Sequence, residues 1–174
     1  MAITRLTAPS ITGLTIPNTS INNASLDSVT ALPSGVGGKV LQVLQVTSST
    51  GINISSNSYT DILTLNFTPS ATSSKVYLMV TCPTRKRDSA TGDNSLGIRI
   101  TKDGSNLVDF GRYIAWNNNQ DPYAQETASM NYLDSPNTTS QLTYVMQFRS
   151  MNAGGVNVNH DDSFSSLTAM EIAG

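Results

Sequence analysis

The chain's one histidine stands in a short run that holds the side chains of a hydrolase triad. His160 is followed by Asp161, Asp162 and Ser163. A triad needs its nucleophile, base and orienting carboxylate within hydrogen-bond reach of one another, but adjacent residues of an extended chain point to opposite faces. We therefore interpret the run as a solvated turn. Its two aspartates leave Ca²⁺ binding as an alternative, although their spacing matches no calcium-binding loop.

A second candidate site is the segment 115–125, predicted to be the longest loop of the folded part. Trp116 and Tyr123 supply aromatic rings there, and Asn118 and Asp121 supply amide and carboxylate groups. This combination suits a sugar, because a ring stacks on its apolar face while polar groups bond its hydroxyls. The segment is therefore a candidate glycan contact. In the alternative, Trp116 covers one end of the fold or packs into a subunit interface.

The other reactive side chains give weaker signals. The basic run Arg85-Lys86-Arg87 reads as part of a charged loop, with pairing to a neighbouring subunit as the alternative. Cys82, the single cysteine, lies in an apolar run and is predicted to be a buried, inert thiol. The sequence has no phosphate-binding loop, paired-carboxylate motif or Cys/His metal spacing. We therefore expect a non-enzymatic protein with no catalytic residues, cofactor or metal.

The composition limits the classes of partner. Only 13% of the 174 residues are charged, and the net charge is −2. Nucleic-acid binding needs a basic surface, so we expect none. No run approaches the roughly 18 apolar residues of a membrane-spanning helix, and the first residues lack the basic-then-apolar order of a signal peptide. We therefore expect a protein made in a cytoplasm, without membrane insertion.

Residues 1–36 differ from the rest of the chain. They repeat Ser, Thr and Asn around isolated aliphatic residues, and Pro9, Pro17 and Pro33 disfavour helix among them. No stretch has the composition of a self-sufficient core, so we predict an extended N-terminal arm whose aliphatics dock on a neighbour. A short coil with a five-residue repeat is the alternative. The candidate anchoring residues are Ile3, Leu6, Ile11, Leu14, Ile16, Ile21, Leu26, Val29 and Leu32.

Residues 37–174 predict a compact all-β body. Apolar segments recur between turn signals, and residues 59–67 and 141–149 alternate between apolar and polar side chains, which is typical of short strands in a sandwich or barrel. We expect Pro83 to end the third strand and Asp103-Gly104 to form a hairpin turn. Eight or nine strands at this spacing favour a jelly-roll-like β-sandwich. The expected strands are 39–47, 59–67, 75–82, 96–100, 105–113, 128–133, 141–149, 156–159 and 164–172.

Several short segments resemble a small β module of virion proteins from tailed bacteriophages, notably marine and cyanobacterial phages. In the body they are Gly37–Val43, Pro69–Val76, Ile100–Gly104 and Ser166–Ile172, and in the arm Ser10–Leu14 and Leu26–Val29. The resemblance covers most of the body and brings no catalytic residues with it. It implies a virion structural protein that forms a homo-oligomer, specifically a trimer.

Two functional hypotheses follow from the arm, the body and this resemblance. The first is a head decoration or cement protein, in which the arm binds the major capsid protein or another virion component while the β-sandwich projects outward. The second is a short tail fibre or fibre tip whose loops contact host surface glycans. A free carbohydrate-binding or hydrolytic β-sandwich is the remaining alternative.

Overall fold

A computed structural model describes residues 40–87, 93–118 and 123–174, and these ranges form ten strands and no helix. Within them, accordingly, no helix is long and apolar enough to cross a membrane. The strands are β1 (Val40–Ser48), β2 (Ile52–Ile54), β3 (Thr60–Phe67), β4 (Lys75–Lys86), β5 (Asp93–Lys102), β6 (Ser105–Asn118), β7 (Ala124–Asp134), β8 (Leu142–Ser150), β9 (Val156–Val158) and β10 (Ser165–Ile172). The short strand β2 was not expected from the sequence.

The strands form two antiparallel sheets. The long strands of the first sheet lie in the order β1-β10-β4-β7, and β9 and β2 continue beside β4 beyond the end of β10. The second sheet has the order β3-β8-β5-β6. Apart from the β5–β6 hairpin, each successive long strand lies in the opposite sheet. This arrangement is a jelly-roll β-sandwich, and it confirms the predicted fold class.

The core lies between the two sheets and is lined by alternate residues of the long strands. The predicted alternation in β3 and β8 is confirmed, because their inward residues are almost fully buried. Ile62 is also buried, because a bulge between Asp61 and Leu63 shifts the register there. The largest buried aromatic and aliphatic side chains are Tyr144, Phe67, Phe148, Leu65, Leu78, Leu96, Ile98, Ile100, Met146 and Leu167.

Strand β4 continues through Pro83, so the prediction that this proline ends the strand is wrong. Pro83 lies opposite Thr127 of β7, and its carbonyl accepts a hydrogen bond from the Asn159 N–H on the other side (3.2 Å). The N–H that proline lacks would point to that same side. There the pairing with β10 stops at Thr81 and that with β9 starts at Thr84. The gap between these two strands therefore tolerates the proline.

Two segments predicted as loops are largely strand. Because β4 runs to Lys86, both Arg85 and Lys86 belong to it, and Lys86 is fully buried between the sheets. Likewise, β6 ends at Asn118 and β7 begins at Ala124, so most of the predicted loop 115–125 is strand. Positions 119–122 of that loop lie outside the described residues.

The predicted Asp103-Gly104 hairpin turn is confirmed. Lys102 pairs with Ser105, which leaves a two-residue turn, and Asp103 and Gly104 have φ values of 50° and 80°. Positive φ at both positions is the type I′ geometry that suits the twist of paired strands. The Asp103 carboxylate also accepts a hydrogen bond from the Thr143 N–H (2.9 Å), which ties the turn to β8.

A buried polar group joins the two sheets near this turn. Asp134 of β7 accepts hydrogen bonds from the Tyr144 hydroxyl (2.8 Å) and from Lys102 Nζ (2.9 Å). Tyr144 is fully buried, and burial, followed by the hydrogen bond to Asp134, raises its pKa. The phenol therefore stays protonated and continues to donate. Since Lys102 and Tyr144 belong to the second sheet and Asp134 to the first, the group fixes their relative position.

Glu171 of β10 forms a second buried polar group. Its carboxylate accepts hydrogen bonds from Gln42 Nε2 (2.6 Å), the Ser70 N–H (2.7 Å) and the Ser70 hydroxyl (2.8 Å). Burial raises the pKa of Glu171, but the hydrogen bonds from its neighbours outweigh this, so the pKa lies below the ordinary value. The charged form thus holds β1 and the turn before β4 against β10.

The Cys82 thiol is buried between the sheets, as predicted. It accepts a weak hydrogen bond from the Ser165 hydroxyl (3.4 Å). Burial raises its pKa to about 11, so the reactive thiolate is scarce at neutral pH.

Candidate functional site

The predicted anchoring residues of the arm lie outside the described residues. These are Ile3, Leu6, Ile11, Leu14, Ile16, Ile21, Leu26, Val29 and Leu32. Their docking role remains a prediction. The described chain begins at Val40, the first residue of β1, so this strand is where the arm leads into the body.

Strand β1 forms an edge of the first sheet and exposes several aliphatic side chains. Among the described strands it pairs with β10 alone. Val40, Leu41, Val43 and Leu44 are each between 41% and 51% exposed. Edge strands usually carry lysine, proline or another feature that prevents pairing with a further strand. The nine residues of β1 include no charged residue and no proline.

The register of the first sheet extends this apolar character across its outer surface. Val43 lies opposite Met170, Met170 opposite Tyr77, and Tyr77 opposite Leu133. These four residues form a row across all four long strands, and the two outermost ones are each 51% exposed. We call this row and the outward residues beside it the uncharged face. Its remaining members are Gln45, Thr47, Ser166, Thr168, Met79, Thr81, Pro83, Thr127, Ser129 and Asn131.

The sequence interpretation did not identify this surface. Lys39–Thr47 was expected only as a β-rich strand, and nothing local distinguishes an edge strand from a central one. The lack of charge over Val40–Ser48 is more typical of a central strand, so the sequence carries no signal that would have identified β1 as an edge.

The outer surface of the second sheet is charged by contrast, and we call it the charged face. The Tyr59 ring lies between the guanidinium groups of Arg99 and Arg149, 3.8 Å and 4.7 Å from its centroid. Its hydroxyl bonds the carboxylate of Asp109 (3.2 Å). Burial, and then the Asp109 charge, raise the pKa of Tyr59 although the two arginines oppose the shift. Gln147 bridges Arg99 and Asp61 on the same face.

The two aromatic residues of the candidate glycan contact are both exposed. Trp116 lies on β6 and is 48% exposed, and Tyr123 directly precedes β7 and is 54% exposed. The Arg85 guanidinium lies 5.8 Å from the Tyr123 ring centroid. Asn118 is the last residue of β6, and Asp121 falls outside the described residues. The glycan contact itself remains a prediction.

A strained backbone position precedes Trp116. Ala115 has a φ of 51°, a conformation that residues with a side chain rarely adopt. Its N–H donates a hydrogen bond to the carboxylate of Glu126 on β7 (2.9 Å). Because β6 and β7 belong to different sheets, this bond fixes the strand that carries Trp116 against the opposite sheet.

The histidine run does not form a triad. The Ser163 hydroxyl donates to the backbone carbonyl of His160 (2.5 Å) rather than to its ring. The Asp161 carboxylate lies 3.2 Å from His160 Nδ1 and also forms an ion pair with Arg85 Nη1 (3.0 Å). The acidic partner of Arg85 is thus within the same chain. In the described part of the molecule, His, Cys, Asp and Glu form no group of three suited to a metal ion.

The described residues form two shallow surface pockets. One, of about 320 Å³, is lined by Asn53, Ile54, Ser55, Arg87, Gly155 and Val156. Across it, Arg87 Nη1 donates to Asn53 Oδ1 (2.7 Å). The other, of about 270 Å³, is lined by Pro83, Gln125, Glu126, Thr127, His160 and Ser163. In the second pocket the Glu126 carboxylate accepts a hydrogen bond from the Ala115 N–H, and the Ser163 hydroxyl donates to the His160 carbonyl rather than to the imidazole ring.

No family model and no curated protein matches the chain. Among solved structures it is similar to the T13 viral particle of infectious bursal disease virus (13% identity, TM-score 0.43). The VP2 subviral particle of that virus (10%, 0.38) and its Gx strain (12%, 0.37) are also similar. The likeness covers 75–76% of this chain but only 35–37% of those chains. At these values it assigns neither a family nor a role.

Proposed function

We propose that this protein is a non-enzymatic structural protein of a bacteriophage virion, of the head decoration or cement type. The arm anchors it to the major capsid protein or another virion component, and the jelly-roll body projects outward. The supporting observation is that the arm leads into β1, an uncharged edge strand whose aliphatics are exposed. Exposed aliphatics on a strand that follows, in sequence, a segment predicted to have no core of its own are typical of an assembly surface.

The resemblance of the sequence to phage virion modules gives the proposal its biological setting. Decoration proteins are present in many copies, and we propose a homo-oligomer, specifically a trimer, as the repeating unit. The low share of charged residues, 13% of the chain, supports contacts of this kind, since contacts between uncharged groups do not depend on ion pairs that salt screens.

Deletion of residues 1–32 tests the anchoring role. The truncated protein should stay folded and soluble, with the circular dichroism of the full chain, but should fail to decorate particles that lack the protein. The control is the full chain with Trp116→Ala, which should decorate normally. If the truncated protein decorates particles as well as the full chain does, the anchoring role is wrong.

The exposed aromatic residues favour a second candidate, a short tail fibre or fibre tip that contacts host surface glycans. The rings of Trp116 and Tyr123 are exposed to solvent near the end of β6 and the start of β7. Under this proposal, Trp116→Ala with Tyr123→Ala should reduce phage adsorption to its host, whereas Tyr113→Ala, which removes a 76% exposed ring from the same strand as Trp116, should not. Copy number separates the candidates: hundreds per virion support decoration, and a few to some tens support a fibre.

A further inference from the structure

We propose that the side of β1 that faces away from β10 pairs with β1 of a second copy of this chain about a twofold axis. The first sheets of the two copies, six strands each, then join into one sheet whose long strands run from β7 of one copy to β7 of the other. This inference concerns how copies associate and does not rest on the proposed place in a virion.

Strand β1 has one side that is unpaired among the described strands. Val40–Ser48 is bonded to β10 along one side, and no described strand pairs with its other side. The backbone N–H and C=O groups of that side are therefore a template for a further strand. The aliphatics of β1 are exposed on both surfaces of the strand: Val43 lies opposite Met170 on the outer surface, and Leu44 opposite Ala169 on the inner one.

The lack of charge on β1 makes the same strand of a second copy a suitable partner. In a twofold pair, a charge near the centre of the edge would lie close to its own copy and repel it. Val40–Ser48 has no charged residue, and neither do the outward positions of β10 beside it, namely Ser166, Thr168, Met170 and Ile172. The strand therefore meets the charge condition for pairing with itself.

The register of the proposed β1–β1 pair determines which residues face each other across the twofold axis. In an antiparallel pair centred on Val43, Val43 faces Val43 of the second copy, and Leu44 faces Gln42 on the inner surface. This register preserves the inward and outward faces of both sheets. It also places the most exposed aliphatics of β1, from Val40 to Leu44, nearest to the axis. The apolar row from Val43 to Leu133 then continues without interruption into the second copy.

The test is the mass of the full-length protein by sedimentation velocity, with Val43→Lys as the variant. Two lysines facing each other across the axis should break the pair, so the mass should fall by half: from dimer to monomer, or from hexamer to trimer if the proposed trimer also forms. Val43 is 51% exposed, so the lysine reaches solvent in the separated subunit and the fold should be retained.

Leu133→Lys is the matched control. Leu133 is also 51% exposed and lies in the same row, but on β7 at the opposite edge of the sheet. This substitution should leave the mass unchanged. If it too halves the mass, the copies associate through the uncharged face as a whole, and edge pairing through β1 is wrong.

Charge complementation makes the test specific to a self-paired position. Val43→Glu alone should also halve the mass, whereas an equimolar mixture of Val43→Lys and Val43→Glu should restore it. A wild-type protein that shows no twofold association, a Val43→Lys variant of unchanged mass, or a mixture that stays dissociated would each overturn the inference.

Discussion

Substitution of Tyr144 by phenylalanine tests whether the Asp134 group holds the two sheets together. The change removes one buried hydroxyl that donates to a carboxylate at 2.8 Å and leaves the ring in the core. A hydrogen bond to a charged group contributes roughly 1.5–3 kcal/mol. Asp134 keeps two other donors, Lys102 Nζ (2.9 Å) and the Ser135 N–H (2.9 Å). The loss should therefore fall at the lower end, about 1.5 kcal/mol.

The assays are urea unfolding for the free energy and thermal unfolding for the melting temperature, both followed by far-ultraviolet circular dichroism, with wild type and variant measured side by side. At roughly 3 °C per kcal/mol for a domain of this size, the melting temperature should fall by about 5 °C. Tyr113→Phe is the control, because Tyr113 is 76% exposed on the same sheet and its hydroxyl is open to water. It should leave stability unchanged.

A double-mutant cycle with Asp134→Ala, which removes both acceptor oxygens, isolates the bond itself. If the hydroxyl acts through Asp134, the two substitutions should be coupled by about 1 kcal/mol. Stability of Tyr144→Phe within about 0.3 kcal/mol of wild type, or a coupling energy near zero, would refute the reasoning, since exposed substitutions usually stay within such limits.

Three further predictions follow from the fold. Glu171→Gln should destabilise the protein at neutral pH, and this loss of stability should shrink as the pH falls below about 4.5. The reason is that a carboxylate whose pKa is lowered in the folded state contributes stability only while it is ionised. Urea unfolding at about pH 7 and about pH 3 measures the loss, and a loss that is the same at both pH values would contradict the prediction. Cys82 should react with a thiol reagent at pH 8 only as the protein unfolds, since its pKa is raised to about 11 and the thiol is buried, whereas the denatured chain should react at once; fast reaction of the native protein would exclude a buried thiol. Gly104→Ala should cost about 1 kcal/mol at a φ of 80°, and Ser105→Ala, also exposed, should cost little; equal effects in urea unfolding would mean that backbone strain at the turn is unimportant.

Features that depend on local sequence were predictable. Alternation in β8 identified Tyr144, Met146 and Phe148 as core, because residues two apart share a face of a strand. The Asp103-Gly104 turn was predictable because few residue pairs tolerate positive φ at two successive positions. The jelly roll itself was only favoured, since strand spacing does not determine which strands pair.

Features that depend on distant strands were not predictable. Pro83 normally ends a strand, and only the gap between β10 and β9, set by residues about 80 positions away, allows β4 to continue. The Asn-rich segment after Ala115 read as a loop, but pairing with β5 and the bond to Glu126 hold it as strand. The glycan contact of Trp116 and Tyr123 stays a prediction, although both side chains are exposed. The edge position of β1 was not predictable, because it also depends on which distant strands pair.

The two outer surfaces of the body differ in charge, and this difference favours one side for contact with a neighbour. The charged face carries Arg99, Arg149 and Asp109 around the Tyr59 ring, so covering it would require desolvation of these charged groups. The uncharged face has no such cost, because hydroxyl, amide and apolar side chains occupy its centre, between Lys75 and Arg85. A neighbour that packs on this body should therefore approach from the side of β1 and the uncharged face. On that arrangement the charged face remains in solvent.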